Sequence, residues 1–273
     1  MNIDTKTITA GERRFTYLEQ GSGTPFVLLH GVGSAARSWK HQLEGLSKSF
    51  RVIAWDAPGY GGSSLTPNES PDAGDFAAAL EAFLAALKVD RFHLVGHSFG
   101  CITAARFARL HPARVLTLTL SGISIGHAHL PAEERERLRR GRLDVLAELG
   151  PRGMAETRGP RLLGPDADET AKREVIDAMA LVRPDGYTRA VHTISVADTR
   201  ADVRRLGEAM RVQFIYGEAD VIAPPEQNRL AHRERPAAPV HALPRTGHAP
   251  YLEQPAAVNR ILLEFAGSAS DAR

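Results

Sequence analysis

The stretch Leu94-Val95-Gly96-His97-Ser98-Phe99-Gly100 constrains this chain more than any other. An apolar run, Phe92-His93-Leu94-Val95, enters a serine flanked by glycine two residues before and two residues after. Beyond it Ile102, Ala105, Phe107, Ala108 and Leu110 recur at helical spacing until Pro112 stops them. A strand that passes into a helix through one residue forces that residue into a strained backbone conformation. A Cβ two positions to either side would strike the opposing backbone, so glycine is needed at both. The spacing predicts that Ser98 stands exposed at a strand tip, above a helix N-terminus that favours developing negative charge. In a chain with 24 glycines such a motif also arises by chance, so its weight depends on what accompanies it.

The rest of the chain reads as α/β. Residues 5–20 carry alternating apolar positions (Ile8, Phe15, Tyr17) broken at Gly11, which predicts an antiparallel pair of strands. Phe26-Val27-Leu28-Leu29 is a continuous apolar run closed by His30-Gly31-Val32-Gly33. Val52-Ile53-Ala54-Trp55 is another, closed by Asp56-Ala57-Pro58-Gly59-Tyr60-Gly61-Gly62-Ser63. Runs of this kind predict strands buried on both faces, hence a parallel sheet. An Ala-rich helix over 75–87, strands over 115–120, 212–216 and 240–243, and a helix over 255–265 continue the rhythm. The chain beyond Gly267 reads as a frayed end. The alternation predicts right-handed crossovers and a doubly wound, mostly parallel sheet. Residues 123–198 break it: they are rich in Arg, Glu and Ala, lack a strand-like run, and are punctuated by Gly150-Pro151, Gly159-Pro160 and Gly164-Pro165. The expected organisation is a core of residues 1–122 and 199–273 with a helical insertion at 123–198.

Charge and cysteine usage narrow the function. With 34 basic residues against 32 acidic ones, the formal net charge of +2 does not suggest a nucleic-acid partner. The basic cluster from Arg135 to Arg142 is interleaved with Glu133, Glu134 and Glu136 and reads as a solvated helix face. Residues 1–14 contain no apolar signal region, and no apolar run reaches the ~18 residues of a membrane span. One cysteine, Cys101, permits no internal disulfide and points to a reducing cytoplasm; inside the elbow helix it reads as a packing residue. No His, Asp, Glu or Cys spacing suggests a metal site, and the Gly-rich loops lack the Lys-Ser/Thr of a phosphate cradle. No cofactor is implied. The expected partner is a small-molecule substrate, with monomer and homodimer both open.

A serine hydroxyl is a weak nucleophile at neutral pH; it needs a base within reach and a third group to orient that base. Asp220 follows the strand over 212–216 and His248 follows the strand over 240–243. Loops at the carboxyl ends of parallel strands converge on one edge of the sheet, where Ser98 also lies. For Asp220 a helix-capping role before Pro224-Pro225 is the alternative, and Asp198 and Asp202 are rival acids. Among the 11 histidines, His97 adjoins the serine and so points elsewhere. His30 reads as a packed loop residue, and His127, His129 and His192 fall in the insertion. His248 is favoured by its loop and its spacing from Asp220.

The order Ser98, Asp220, His248, with the His30-Gly31 loop, the Asp56-x-Pro-Gly-x-Gly loop, the elbow and Gly247-His248 followed by Glu253-Gln254-Pro255, resembles the α/β-hydrolase fold superfamily of serine hydrolases. The likeness covers the core and weakens in the insertion. It implies that Ser98 attacks a carbonyl, that His248 takes and returns the proton, and that Asp220 holds the imidazole. It implies an oxyanion hole from the backbone N–H groups of Phe99 and Val32, with Gly33 as the alternative to Val32. The insertion becomes a cap. Its Leu143, Leu146, Leu149, Met154, Leu162, Leu163, Met179, Leu181 and Val182 either line an apolar chamber or pack cap helices together. A serine nucleophile excludes the halide and epoxide chemistries of aspartate-bearing relatives, and the His30 loop lacks the three-glycine run of many lipases and esterases. Cleavage of a small carboxylic ester or lactone is the expectation, with C–C hydrolysis of ring-opened diketo acids or a small-molecule receptor as alternatives. Residues 183–187 and Ala197-Asp198 weakly resemble the cap of enol-lactone hydrolases.

Overall fold

In the computed structural model, which describes residues 3–267, every expected strand forms. They are β1 (Lys6–Ala10), β2 (Arg13–Gln20), β3 (Pro25–Leu29), β4 (Arg51–Trp55), β5 (Phe92–His97), β6 (Val115–Ser121), β7 (Val212–Gly217) and β8 (Val240–Leu243). The frayed end expected after Gly267 lies outside the described residues. All eight join one sheet in the order β1-β2-β4-β3-β5-β6-β7-β8. β1 and β2 pair antiparallel, β2 pairs antiparallel with β4, and from β4 to β8 every pairing is parallel.

Helices cover both faces, which is why the central strands are apolar throughout. Val27 and Leu29 of β3 join a core with Phe76, Phe83, Ile102 and Phe107 of α2 (Ala73–Ala86) and α3 (Phe99–Leu110). Their neighbours Phe26 and Leu28 point the other way, into a core with Leu43 and Leu46 of α1 (Lys40–Leu46) and Ile261 and Leu262 of α10 (Pro255–Gly267). Removing each such side chain from water contributes about 1.5–3 kcal/mol, enough to fix which face each residue takes. α2 begins two residues before the sequence suggests. Asp72 accepts from the N–H groups of Gly74 and Asp75, and Asp75 accepts from the Asp72 N–H, a reciprocal cap that sets the boundary.

Between β6 and β7 the chain is helical, with no strand among the described residues: α4 (Ala132–Arg158), α5 (Glu169–Met179), α6 (Pro184–Val196) and the short α7 (Thr199–Arg204). α4 is two helices joined at a break. Gly150 has φ 66° and ψ 177°, and Pro151 has no N–H to continue the ladder. Core loops anchor this segment. Arg183 donates to the Ser63 carbonyl at 3.0 Å, Thr193 to the Pro71 carbonyl at 2.7 Å and Thr199 to the Ser124 carbonyl at 2.8 Å. α8 (Pro225–His232) and α9 (Pro250–Glu253) follow β7 and β8. Among the described residues no helix is long and apolar enough to cross a membrane.

Candidate active site

Ser98 joins β5 to α3 with φ 52° and ψ −114°, a conformation that non-glycine residues rarely adopt. A Cβ on Gly96 would come within 2.6 Å of the Gly100 carbonyl oxygen, and one on Gly100 would press on the Leu29 and His30 carbonyls. Both glycines are therefore required by the close approach of backbones. The Ser98 N–H donates to the Ser121 carbonyl of β6 at 2.9 Å, which pins the strained residue to the sheet. Cys101, one turn into α3, is buried and gives its thiol proton to the Gly96 carbonyl at 3.1 Å. Burial pushes that thiol up, so it packs as a neutral group.

Asp220 and His248 meet above the same strand tips. His248 Nδ1–H donates to Asp220 Oδ2 at 2.7 Å, with both residues almost fully buried. Asp220 Oδ1 accepts from the N–H groups of Ile222 and Ala223 at 2.8 and 2.9 Å, so the carboxylate is fixed by the loop itself. The rival acids are engaged elsewhere. Asp198 caps α7 through the Ala201 N–H, and Asp202 is clasped by Arg106 and Arg109.

Ser98 and His248 line one cavity of about 120 Å³, together with Gly31, Val32 and Gly33. Ser98 Oγ makes no hydrogen bond among the described residues. The N–H groups of Val32 and Phe99 likewise have no acceptor among the described residues, while the Val32 carbonyl accepts from the Tyr60 hydroxyl at 2.8 Å. The loop is held from below. His30 donates through Nδ1 to the Gly31 carbonyl and accepts at Nε2 from the Ala57 N–H. A larger cleft of about 480 Å³ shares Gly33, Ser34 and Leu162 with this cavity, but neither Ser98 nor His248 lies in its wall. Among the described residues no group of three or more His, Cys, Asp or Glu is placed to hold a metal ion.

Two residues act on the site that sequence reasoning did not place there. His97, expected to point elsewhere, lies in the wall of the same cavity; its Nε2–H donates to the His248 carbonyl at 2.6 Å and its ring packs 4.8 Å from the His248 ring. Burial and the neighbouring His248 hold its pKa well below the usual value, so it is a neutral donor. Glu253 accepts from the Gly247 N–H at 2.9 Å and from the Gly164 N–H at 2.6 Å, and so ties the His248 loop to the helical segment. The His248 N–H donates to the Leu162 carbonyl at 2.7 Å in the same seam. His97 lies 151 residues from His248 and Gly164 lies 89 residues from Glu253, and only the Glu253-Gln254-Pro255 pattern gave a signal.

The roof of the cavity divides apolar insertion residues between the two expected roles. Of the nine apolar insertion residues, Leu162 and Met179 line the cavity, whereas Leu149 and Leu181 are largely solvent-exposed. Leu146 and Met154 are buried in the core instead. The cavity wall carries Arg142, Arg158 and Arg161 in their place. The expected solvated face holds for Arg137, Arg139 and Arg140, which pair with Glu134 and Glu136.

Comparison with known proteins agrees with this architecture. The alpha/beta hydrolase family model matches residues 26–261. The chain is 29% identical over 270 residues to the dihydrolipoyllysine-residue acetyltransferase component of the acetoin cleaving system of Pseudomonas putida, covering 93% of this chain and 67% of that protein. An esterase from Thermogutta terrifontis superposes with a TM-score of 0.86 at 26% identity, over 97% of this chain and 99% of that one. The enol-lactonase of Burkholderia xenovorans gives 0.82 at 20% identity, over 95% and 99%, a likeness of fold alone. The family match spans most of the chain and the sheet order fits it, so this chain belongs to the alpha/beta hydrolase family and is a hydrolase-like enzyme.

Proposed function

We propose that the protein is a serine hydrolase that cleaves a small carboxylic ester or lactone through Ser98, His248 and Asp220. The observation that carries this reading is the buried 2.7 Å bond from His248 Nδ1–H to Asp220, beside a cavity lined by a strained Ser98 whose Oγ is free of hydrogen bonds among the described residues. A carboxylate can only accept, so His248 presents the lone pair of Nε2 to the cavity. Ser98 Oγ forms a bond to the substrate carbonyl carbon while His248 Nε2 takes the hydroxyl proton; the contact between them closes with substrate in place. The C–O bond to the leaving alcohol breaks and the alcohol departs with that proton. Water oxygen then bonds to the acyl carbon as His248 takes one of its protons; the bond from that carbon to Ser98 Oγ breaks, Oγ receives the proton from His248, and the acid is released.

The negative charge on the carbonyl oxygen falls to the N–H groups of Phe99 and Val32, with Gly33 the alternative to Val32. Loss of one such donor costs on the order of 3 kcal/mol of transition-state stabilisation. Residues 123–198 serve as the cap over the cavity, which keeps water from competing with the bound substrate.

The test is kcat/KM on p-nitrophenyl butyrate, an enol-lactone and a ring-opened 2-hydroxy-6-oxo-dienoate, with Ser98→Ala as the blank. Turnover of the ester or the lactone above the blank is expected. Turnover of the dienoate alone would replace ester cleavage with C–C hydrolysis. No turnover of any of the three, with a ligand-induced rise in Tm, would make the protein a receptor.

A further inference from the structure

Three arginines line the Ser98 cavity: Arg142 and Arg158 from the two halves of α4, and the more exposed Arg161 from the turn that follows. No Asp or Glu side chain lines it. Among the described residues none of the three makes an ion pair or hydrogen bond with a carboxylate.

Many arginines elsewhere in the molecule are matched by carboxylates. Arg106 and Arg109 share Asp202, Arg200 and Arg204 share Glu234, and even the exposed Arg152 meets Glu156 and Asp177. Arg189 and Arg235, which also lack a carboxylate, are met by backbone carbonyls instead; the cavity is distinctive in gathering three unmatched arginines in one wall. Arg142 and Arg158 are half-buried, where an unmatched charge is more costly than at the surface. The mutual repulsion is felt within the cluster: burial, then Arg142 and Arg161, hold Arg158 below the usual guanidinium range despite the opposing effect of Tyr187. His127 lies in the same wall with a buried Nδ1 that has no hydrogen-bond partner. Burial and Arg142 push its pKa down to about 4, so it adds polarity without adding charge at neutral pH.

A cavity with three cations, no anion and an unpaired imidazole nitrogen is incomplete by itself. We infer that the substrate carries a free carboxylate, bound by Arg142, Arg158 and Arg161 while its ester or lactone carbonyl lies at Ser98. This rests on the hydrolase reading and narrows its substrate class. Guanidinium suits the task because its planar donors match a carboxylate two at a time. Size limits the chain between the two groups. One water needs ~10–15 Å³ of such space, so the cavity of about 120 Å³ takes a molecule of roughly ten heavy atoms. A half-ester of a short dicarboxylic acid, or a lactone bearing one carboxylate, fits that size. Hydrolysis turns such a substrate into a dicarboxylate, which adds a second negative charge beside the same arginines. The short dicarboxylate is therefore also a ligand of the resting enzyme.

Two arms test this. In the first, methanol release is measured from monomethyl succinate and from methyl 4-oxopentanoate, its neutral counterpart with a methyl group in place of the charged oxygen. The half-ester is expected to have at least a tenfold higher kcat/KM, and Arg158→Gln is expected to lower its kcat/KM at least tenfold more than that of the neutral ester. In the second arm, succinate and glutarate are titrated calorimetrically into Ser98→Ala protein, which needs no turnover. Binding at low salt is expected, weakened at least tenfold when Arg158→Gln is added. Equal or better use of the neutral ester, or equal losses on both esters, would overturn the inference. Dicarboxylate binding with no turnover of either ester would overturn the hydrolase reading and keep the anion site. Turnover of both esters without dicarboxylate binding would do the reverse.

Discussion

Ser98 illustrates how a single residue can store strain for a purpose. Its φ of 52° persists because Gly96 and Gly100 leave room for the turn and because its N–H is pinned to β6. Gly100→Ala places a methyl group against the Leu29 carbonyl, which cannot move without shifting β3. A loss of about 2–4 kcal/mol is expected, read as a Tm drop of roughly 5–15 °C, with near-complete loss of activity. A variant with unchanged Tm would show that the elbow has slack. His97 makes a second case. In His97→Phe the His248 carbonyl loses its donor while the ring volume is kept, so kcat should fall at least tenfold with KM little changed, and Tm should fall by a few degrees. An equal change in KM and none in kcat would remove its role in positioning His248. The positions of Ser98, Asp220 and His248 were legible in the sequence because each lies in the turn or loop that follows a strand-like run. His97 was legible only as a neighbour of Ser98, since its partner lies 151 residues away.

At the scale of elements, the strands and the crossing helices follow from apolar runs and glycine-rich loops, and their boundaries shift by only a few residues. The helical segment was legible as a segment but not in what it presents to the cavity. α4 carries its arginines among glutamates, and helical spacing alone makes all of them look solvated. The break at Gly150-Pro151 separates the stretch that bears Arg142 from the stretch that bears Arg158, and both come to the same wall. Junctions between elements also matter. Glu253 of α9 bridges Gly247 and Gly164 through two backbone N–H groups, in a half-buried position that raises its pKa chiefly through desolvation. Glu253→Ala leaves both donors without an acceptor, with an expected loss of about 1.5–3 kcal/mol of stability and a Tm lower by several degrees. The His248 loop should loosen with it, so kcat should fall while the elbow stays intact. Limited proteolysis near residues 160–165 is the direct check: faster cleavage is expected, and unchanged cleavage would contradict the bridge.

Taken whole, the molecule holds two buried imidazoles, His30 and His97, and the half-buried His127 as neutral groups. Burial is the first cause that lowers the pKa of His30, His97 and His127 from the ordinary value of about 6.5. With folded values below the unfolded one, the native state binds fewer protons than the unfolded chain in acid. The stability these groups contribute is complete above about pH 6.5 and is lost as pH falls from there toward their folded values, about 4 for His127. Tm should therefore be nearly flat from pH 8 to 7 and decline steadily from 6.5 to 5. A Tm that rises on acidification across that window would show that these rings become charged in the fold. The sheet, its two cores and the family were legible at this scale because composition and periodicity act on the whole chain. The cationic cavity was not, because it depends on which of 34 basic residues lacks a partner, and pairing is a property of the fold.

The central claim is that Ser98 is a nucleophile activated by His248 and Asp220, and covalent trapping tests it most directly. The protein is incubated with a fluorophosphonate, and the adduct is followed by intact mass and located by peptide mapping. One adduct per chain is expected, on the peptide that contains Ser98, with none in Ser98→Ala. Labelling should be slower by about 10³–10⁴-fold in Asp220→Asn, where the imidazole loses its fixed tautomer. Labelling of Ser98→Ala at the wild-type rate, or an adduct on any other residue, would contradict the assignment.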